Sequence, residues 1–568
     1  MFDHVLLFTI AAGAALWILL GLQARLRLTR AKHPSLQGHA AIARRIARIM
    51  PFYEYGGEKL FACDGAPEEV ARQRKTDFER LGAHFSDRAP KTLAAGKAIE
   101  SGVSDASFVN AHRVPFQFRS EVRRTFPLTN LVDASHGNRV RDLDGNWSYD
   151  LSGSYGVNVF GHELYKQCLE RGFERAQPLG PVLGAYHPVV NDNVERLRRL
   201  SGLDEVSFHM SGTEAVMQAV RLARYHTNRP RIVRFAGAYH GWWDGVQVGI
   251  GSQRRATDVY TLRDMHPASL KVLQTRRDIA AVLVSPLQTL HPNRAAPGDA
   301  TLVSGRDGTG GHDRDRYARW LHQLRSVCSE RGIALIMDEV FSGFRLAAGG
   351  AQEYFGVAAD LVTYGKSLGG GLPVGVLCGT HHFMKRYRDD RPMDVCFARG
   401  TFNSHPYVMT CMNEFLRHLE SPAVASSYEQ LHPLWDRRTA TLNRALEERD
   451  LPIRLANVGS LLTVHYLAPS RYNWMFQFYL RAHELSLSWT GTGRLIMSHD
   501  YTEADFAAVS DRFLAAAEKM RHAGWWWHPP KWSDRANRRQ ILREMLAARL
   551  GGYRTLDASG NAVTGRVR

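Results

Sequence analysis

Between about Phe126 and Met520 the chain alternates short apolar runs with longer stretches of helical periodicity. The runs "EVSFHM", "PRIVRF", "IAAVLVSP", "IALIMDEV" and "ADLVTYG" are rich in Val, Ile and Leu and are bounded by turn residues. Continuous apolar runs of that kind predict strands buried on both faces, and hence a mainly parallel sheet in an α/β body. Ligands of such sheets bind beyond the carboxyl ends of the strands. The polar residues just after each run are therefore the candidates for chemistry.

The two ends follow other patterns. "VLLFTIAAGAALWILLGL", Val5 to Leu22, carries no charge. As a helix it rises about 27 Å, roughly one hydrocarbon core. Arg25, Arg27, Arg30 and Lys32 follow it, and the only charged side chain before it is Asp3. Without a positive n-region or a cleavage site it predicts an uncleaved anchor rather than a signal peptide. The basic flank then stays inside. The expectation is a single-pass protein of the inner (cytoplasmic) membrane, with its body on the cytoplasmic side. The alternative is a buried core helix. "AAIARRIARIM" places Ile42, Ile46 and Ile49 on one helical face and Arg44, Arg45 and Arg48 on the other. That pattern suits a helix on an anionic membrane surface, or one packed on the protein body. Near the C-terminus, Trp525, Trp526, Trp527 and Trp532 precede a segment in which Ile541, Leu542, Met545 and Leu546 line one side. Arg535, Arg538, Arg539 and Arg543 supply charge there. Two readings stand for this segment: a bilayer interface, or packing on the body or on a second copy.

Composition narrows the class. The 568 residues are 44% hydrophobic, enough for a large core and more than one domain. The formal charge is +17, but its arginines are spread along the chain. A solvated cationic surface explains them better than nucleic acid, and no nucleic-acid partner is expected. The six cysteines form no CxxC pair and no Cys/His cluster. Neither a metal site nor a disulfide framework is expected, and a reducing compartment fits.

Each strand end offers a candidate and a plainer reading beside it. Ser211, Gly212 and Thr213 open a helix whose first amides suit a phosphate, or they are an ordinary cap. Tyr239 and His240 sit on a glycine-flanked turn, where a ring can stack on a flat heterocycle or simply pack. Asp338 ends a buried run, where an acid is costly without a cationic partner such as a ring nitrogen. Lys366 follows Gly365 and precedes three glycines. A desolvated lysine there can attack a carbonyl, though a lone lysine is more often a surface residue. Together the four specify a site for pyridoxal 5'-phosphate: a phosphate cup, a ring stacker, an acid for the ring nitrogen and a carrier lysine.

With these motifs in this order, the chain resembles the class III (fold-type I) aminotransferases, most closely the glutamate-1-semialdehyde aminomutase branch. The matching stretches are "VRDLDGNWSYDLSGSYGVNVFGH", "SGTEAVMQAVRLAR", "GAYHGWWDG", "MDEVFSGFR", "GKSLGGGLPVG" and "RGTFNSHP". The resemblance implies a large domain with a mainly parallel seven-stranded sheet and a small α+β C-terminal domain. It implies that Lys366 carries the cofactor, Asp338 meets the ring nitrogen, and Val340 and Tyr239 pack on the two ring faces. Gly212 and Thr213 would hold the phosphate. Thr401 would reach the phosphate of the other subunit, which implies a homodimer. Ser154 and Tyr155 align with the substrate pocket, and Arg119 is the candidate by position for a substrate carboxylate. Ser285-Pro286 stands where the family has Glu-Pro, Met210 stands where it has Asn, and a Gly/Asp/Arg-rich insertion follows Pro292.

The expected organisation is an anchor over 1–33, a helical extension over 34–125, the cofactor-binding domain over 126–420, a small domain over 421–520 and a C-terminal extension over 521–568. The expected activity moves an amino group between a small-molecule amino donor and a carbonyl acceptor. An anchored enzyme suggests a lipid-like or membrane-delivered substrate. An aminomutase of the same fold and a non-catalytic scaffold are the alternatives.

Overall fold

Five of the apolar runs are indeed strands, and two more complete their sheet. In the computed structural model these are β1 (Glu205–His209), β2 (Arg231–Phe235), β3 (Val259–Leu262), β4 (Ile279–Val284), β5 (Ala334–Asp338), β6 (Leu361–Gly365) and β7 (Gly375–Gly379). The structure describes residues 2–106, 114–127, 129–252, 254, 257–286, 314–487, 494–550, 555–556 and 562–563. The insertion noted above lies outside the described residues up to position 313.

The strand order is β1-β7-β6-β5-β4-β2-β3. All neighbours are parallel except at β7, which runs antiparallel to both β1 and β6. Central strands β4, β5 and β6 are buried at every position, which is why they read as continuous apolar runs. Helix α3 (Gly212–Thr227) lies on this sheet and buries Val216, Ala219, Val220 and Ala223 in its core.

The described chain divides into two compact units. The first contains the seven-stranded sheet and is built from Met1–Arg48, Cys168–Leu290 and Asp313–Ser421. It includes helix α1 (Phe2–Ala31) and helix α2 (Ala40–Ile49) almost to its end. Within α1, Thr9–Ala31 is long and apolar enough to cross a membrane, and its apolar window is not buried. Its C-terminal end is tied to the sheet edge: the amide of Arg263 donates to Ala31 O at 3.0 Å, and Lys32 bridges Leu262. The helix also packs on α4 (Pro267–Thr275). The next helix, α2, packs on the body, and not through Ile42 or Ile49. Ala43 is buried, and Arg44 Nη1 donates to Ser252 O at 2.9 Å and Arg254 O at 2.7 Å, while Ile42 and Ile49 stay exposed.

The second unit joins Ile49–Gln167 to Pro422–Arg568. It holds a three-stranded antiparallel sheet (Ile453–Val458, Leu461–Tyr466, Arg494–Ile496) and a four-stranded sheet near residues 132–150. Its core is markedly aromatic. Trp525 and Trp526 belong to that core at 1% and 5% exposure. The indole of Trp525 donates to Tyr479 Oη at 2.7 Å, that of Trp526 to Asn473 Oδ1 at 3.0 Å and that of Trp532 to Asn537 Oδ1 at 2.6 Å. The bilayer-interface reading is thereby corrected for Trp525 and Trp526: they pack in the core of the second unit, where each N–H finds a buried acceptor, while Trp532 is half-buried and bonds within its own segment. The final long helix, α5 (Asp534–Arg549), also departs from expectation. Ile541 and Met545 are partly buried, but Leu542 and Leu546 point outward, so the anticipated apolar side is split between two faces.

Candidate active site

Four carboxyl strand ends of the first unit bring the candidate residues together. Ser211 follows β1, Tyr239 and His240 follow β2, Asp338 ends β5, and Lys366 follows β6. Strands β5 and β6 are paired, with Asp338 in register with Thr363. This places the acid one strand away from the lysine, near the same sheet edge.

Asp338 is 4% exposed and heavily supported. Its Oδ1 accepts from the Val340 amide at 3.2 Å and from Thr363 Oγ1 at 3.1 Å. Its Oδ2 accepts from His240 Nδ1 at 2.6 Å. A carboxylate only accepts, so the imidazole carries its proton on Nδ1. His240 Nε2 is buried with no hydrogen-bond partner among the described residues. His240 therefore faces Asp338 and supports the acid, while Tyr239 is half exposed beside it. Burial pushes the Tyr239 phenol above its ordinary range, with the charge of Asp338 adding to the effect.

Lys366 adopts φ = +48°, a left-handed conformation that is strained for a lysine. It opens a short 3-10 turn, Lys366–Gly369, directly after β6. Its Nζ lies 5.7 Å from the Phe341 ring centroid. Burial lowers its pKa from the usual lysine value; Asp338 opposes that shift and Arg345 reinforces it. The neutral amine is thus more accessible here than on an exposed lysine.

The candidate phosphate cup lies at the N-terminus of α3. Ser211 Oγ accepts from the Glu214 amide at 3.3 Å, and Glu214 Oε2 accepts from the Met210 amide at 2.8 Å. This cap leaves the amides of Gly212 and Thr213 without an intrahelical acceptor. Two glycines keep the cup open. A Cβ on Gly212 would stand 2.6 Å from Val340 Cγ1, and one on Gly375 would stand 1.9 Å from Ser211 O. Gly375 lies opposite His209 on one side and Gly365 on the other. The glycine-rich turn after Lys366 thus lets β7 return between the two strands whose ends carry the cup and the lysine.

These residues fit pyridoxal phosphate: amides at a helix N-terminus for the phosphate, a supported buried carboxylate for a ring nitrogen, and a desolvated lysine. Three residues at the site, Thr363, Phe341 and Arg345, are not singled out by the sequence. Thr363 is a lone hydroxyl in a buried strand, and Phe341 and Arg345 lie in the "DEVFSGFR" stretch, where the sequence alone gives no cue to their facing. The remaining expected residues stand elsewhere. Thr401 is exposed in the first unit, two residues after Arg399. Ser154, Tyr155 and Arg119 belong to the second unit. Ser154 and Tyr155 both have positive φ, +47° and +56°, inside the turn Gly153–Gly156. Two adjacent left-handed residues that are not glycine mark a strained segment of the kind found at binding sites.

Comparison with known proteins gives the family. The class-III aminotransferase model matches residues 122–500. A glutamate-1-semialdehyde 2,1-aminomutase from Geotalea daltonii is 30% identical over 429 residues, covering 69% of this chain and 91% of that protein. The same enzyme from Alkaliphilus oremlandii is 34% identical over 322 residues, covering 54% and 69%. A solved transaminase with PLP bound is 25% identical with a TM-score of 0.57, covering 70% of this chain and 92% of that one. The family model over residues 122–500, together with relatives such as the Geotalea daltonii enzyme, establishes that this chain belongs to the class-III aminotransferase family.

Proposed function

We propose that the chain is a membrane-tethered, pyridoxal phosphate-dependent aminotransferase that moves an amino group from a small-molecule donor to a carbonyl acceptor. The observation that carries the reading is the pairing of β5 with β6, which sets the supported carboxylate of Asp338 beside the strand that delivers Lys366. Pyridoxal phosphate bound there supplies an electron sink for a carbanion at the substrate carbon. The chain's own residues do the rest. The amides of Gly212 and Thr213 bind the phosphate. Asp338, held by His240, Thr363 and the Val340 amide, keeps a proton on the ring nitrogen. Val340 and Tyr239 flank the ring. Lys366 Nζ would hold the cofactor and, as a free amine, would take and return the proton at the reacting carbon. Thr401 completes the phosphate site of a second copy, so the working form is a homodimer.

The tether is α1, with Arg25, Arg27, Arg30 and Lys32 on its inner flank. A lipid-like or membrane-delivered substrate follows from that location. A second reading, an aminomutase, is supported by the names of the curated relatives. It runs the same proton transfers at Lys366 but returns the amine to the neighbouring carbon of one molecule.

One experiment tests both readings. The purified protein is screened against amino donors with and without carbonyl acceptors, following the cofactor's visible absorbance band. A transaminase needs both partners for sustained turnover; an aminomutase isomerises a single compound. Lys366→Ala is expected to lack both the band of the lysine-bound cofactor and turnover. Wild-type turnover in that variant would overturn the assignment.

A further inference from the structure

Helix α5 is apolar on two faces, and the interior of the second unit uses only one. Its inner face is fastened at both ends. Asn537 Nδ2 donates to Pro469 O at 2.8 Å, and Glu544 accepts from Arg471 Nη2 at 3.2 Å and from the hydroxyls of Tyr53 and Tyr55. These bonds fix the rotation of the helix about its axis. The outer face then necessarily carries Leu542, Leu546 and Leu550, which are 59, 61 and 86% exposed. At i, i+4 and i+8 they form one stripe. Arg535, Arg538, Arg539, Arg543 and Arg549 are exposed around it, whereas Asp534 and Glu544, the acids of the helix, are buried. The segment leading to Tyr55 runs alongside: Arg549 Nη1 donates to Ile49 O at 2.6 Å. That segment exposes Ile49, Met50 and Phe52 as well.

Six large apolar side chains are thus open to solvent on two tied elements, framed by five arginines. The charge selects the occupant. A second copy docking by twofold symmetry would set these arginines against their own equivalents. An anionic lipid surface complements them and takes up the leucines between its headgroups. We propose that the outer face of α5, with Ile49, Met50 and Phe52, seats in the interface of an anionic bilayer. The inference rests on the tether reading of α1, since the same membrane would hold the chain at both places. Trp525 and Trp526, before α5, take no part, because they are buried.

The test uses the full-length chain with Leu546→Cys carrying an environment-sensitive fluorophore. The six native cysteines are buried, so the introduced thiol takes the label. The labelled protein is reconstituted in nanodiscs of phosphatidylcholine and phosphatidylserine. Doxyl-labelled lipid is expected to remove about half the emission while aqueous iodide has little effect. Adding Arg539→Glu and Arg543→Glu is expected to reverse that pattern. Quenching by iodide and not by doxyl lipid means the face is open to water, and overturns the proposal. Quenching by neither means that protein covers the face, and overturns it equally. Alkaline carbonate extraction decides the tether separately. If carbonate releases the wild-type chain, α1 does not span, and the label, read with the protein added to vesicles, still decides the face.

Discussion

At the scale of single residues, two adjacent acids are solvated in different ways and serve different ends. Asp338 is met by three donors and points toward the strand-end site. Its neighbour Glu339 points the other way, 1% exposed, and accepts from the amides of Ala351 at 2.6 Å and Gln352 at 3.0 Å. Asp338→Asn keeps the shape but cannot hold a charge against a ring nitrogen, so turnover is expected to fall about a thousandfold with the cofactor still bound. Steady-state rates and the visible absorbance of the same sample check this, and a near-normal rate removes Asp338 from the role. Glu339 governs stability instead. Burial pushes its carboxyl up to about 7 from 4.5, against the pull of its amide donors. Between those values the folded chain holds a proton that the unfolded chain releases. Stability from this group is therefore full below about pH 4.5 and is lost as pH rises through about 7, on the order of 3 kcal/mol in all. Glu339→Gln should remove that part of the decline. Denaturant unfolding of both proteins at pH 5 and pH 8 measures it, and equal slopes would count against the assignment.

At the scale of elements, the tryptophans of the C-terminal segment hold its start to the second unit. The Trp525 ring centroid lies 5.1 Å from that of Tyr472 and 6.3 Å from those of Phe61 and Phe78. Arg74 sits beside the same cluster, its guanidinium 4.5 Å from the Tyr472 centroid, paired with Asp64 at 2.8 Å. Removing so large a buried ring leaves a cavity, and Trp525→Ala is expected to cost about 3–5 kcal/mol. Denaturation midpoints report the cost. Membrane association of a folded Trp525→Ala sample should not change; weakened association with unchanged stability would restore the interface reading for this residue.

At the scale of the whole molecule, the proposed homodimer can be tested through the site. If Thr401 serves a second copy, Lys366→Ala and Thr401→Ala protomers, each inactive alone, complement one another. One of the two sites in each heterodimer is then intact. Random 1:1 mixing makes about half of the dimers mixed, so about a quarter of wild-type activity should return. No recovery after heterodimers have been demonstrated by two different affinity tags places Thr401 outside the shared site. Substrate profiles of single variants at Ser154, Tyr155 and Arg119 of the second unit test directly whether these residues have a role.

The sequence by itself determined five of the seven strands of the large sheet, its mainly parallel character and the four strand-end positions proposed to carry chemistry. Buried strands must be continuously apolar, and a polar residue at the end of such a run stands out against it. It also determined the membrane-length helix, because hydrocarbon thickness sets a length that few other segments meet. The tertiary structure decided what depends on facing and on partners distant in the chain. Only the antiparallel return of β7 explains why Gly375 must lack a side chain, since the carbonyl it approaches belongs to Ser211, far away in sequence. Only packing turned His240 toward Asp338, and Thr363 toward the same carboxylate. Only packing buried Trp525 and Trp526, and left Leu542 and Leu546 outside. A helical pattern read from sequence shows that a stripe is apolar; which stripe meets the core is set by the buried bonds of Asn537 and Glu544, whose partners come from other parts of the fold.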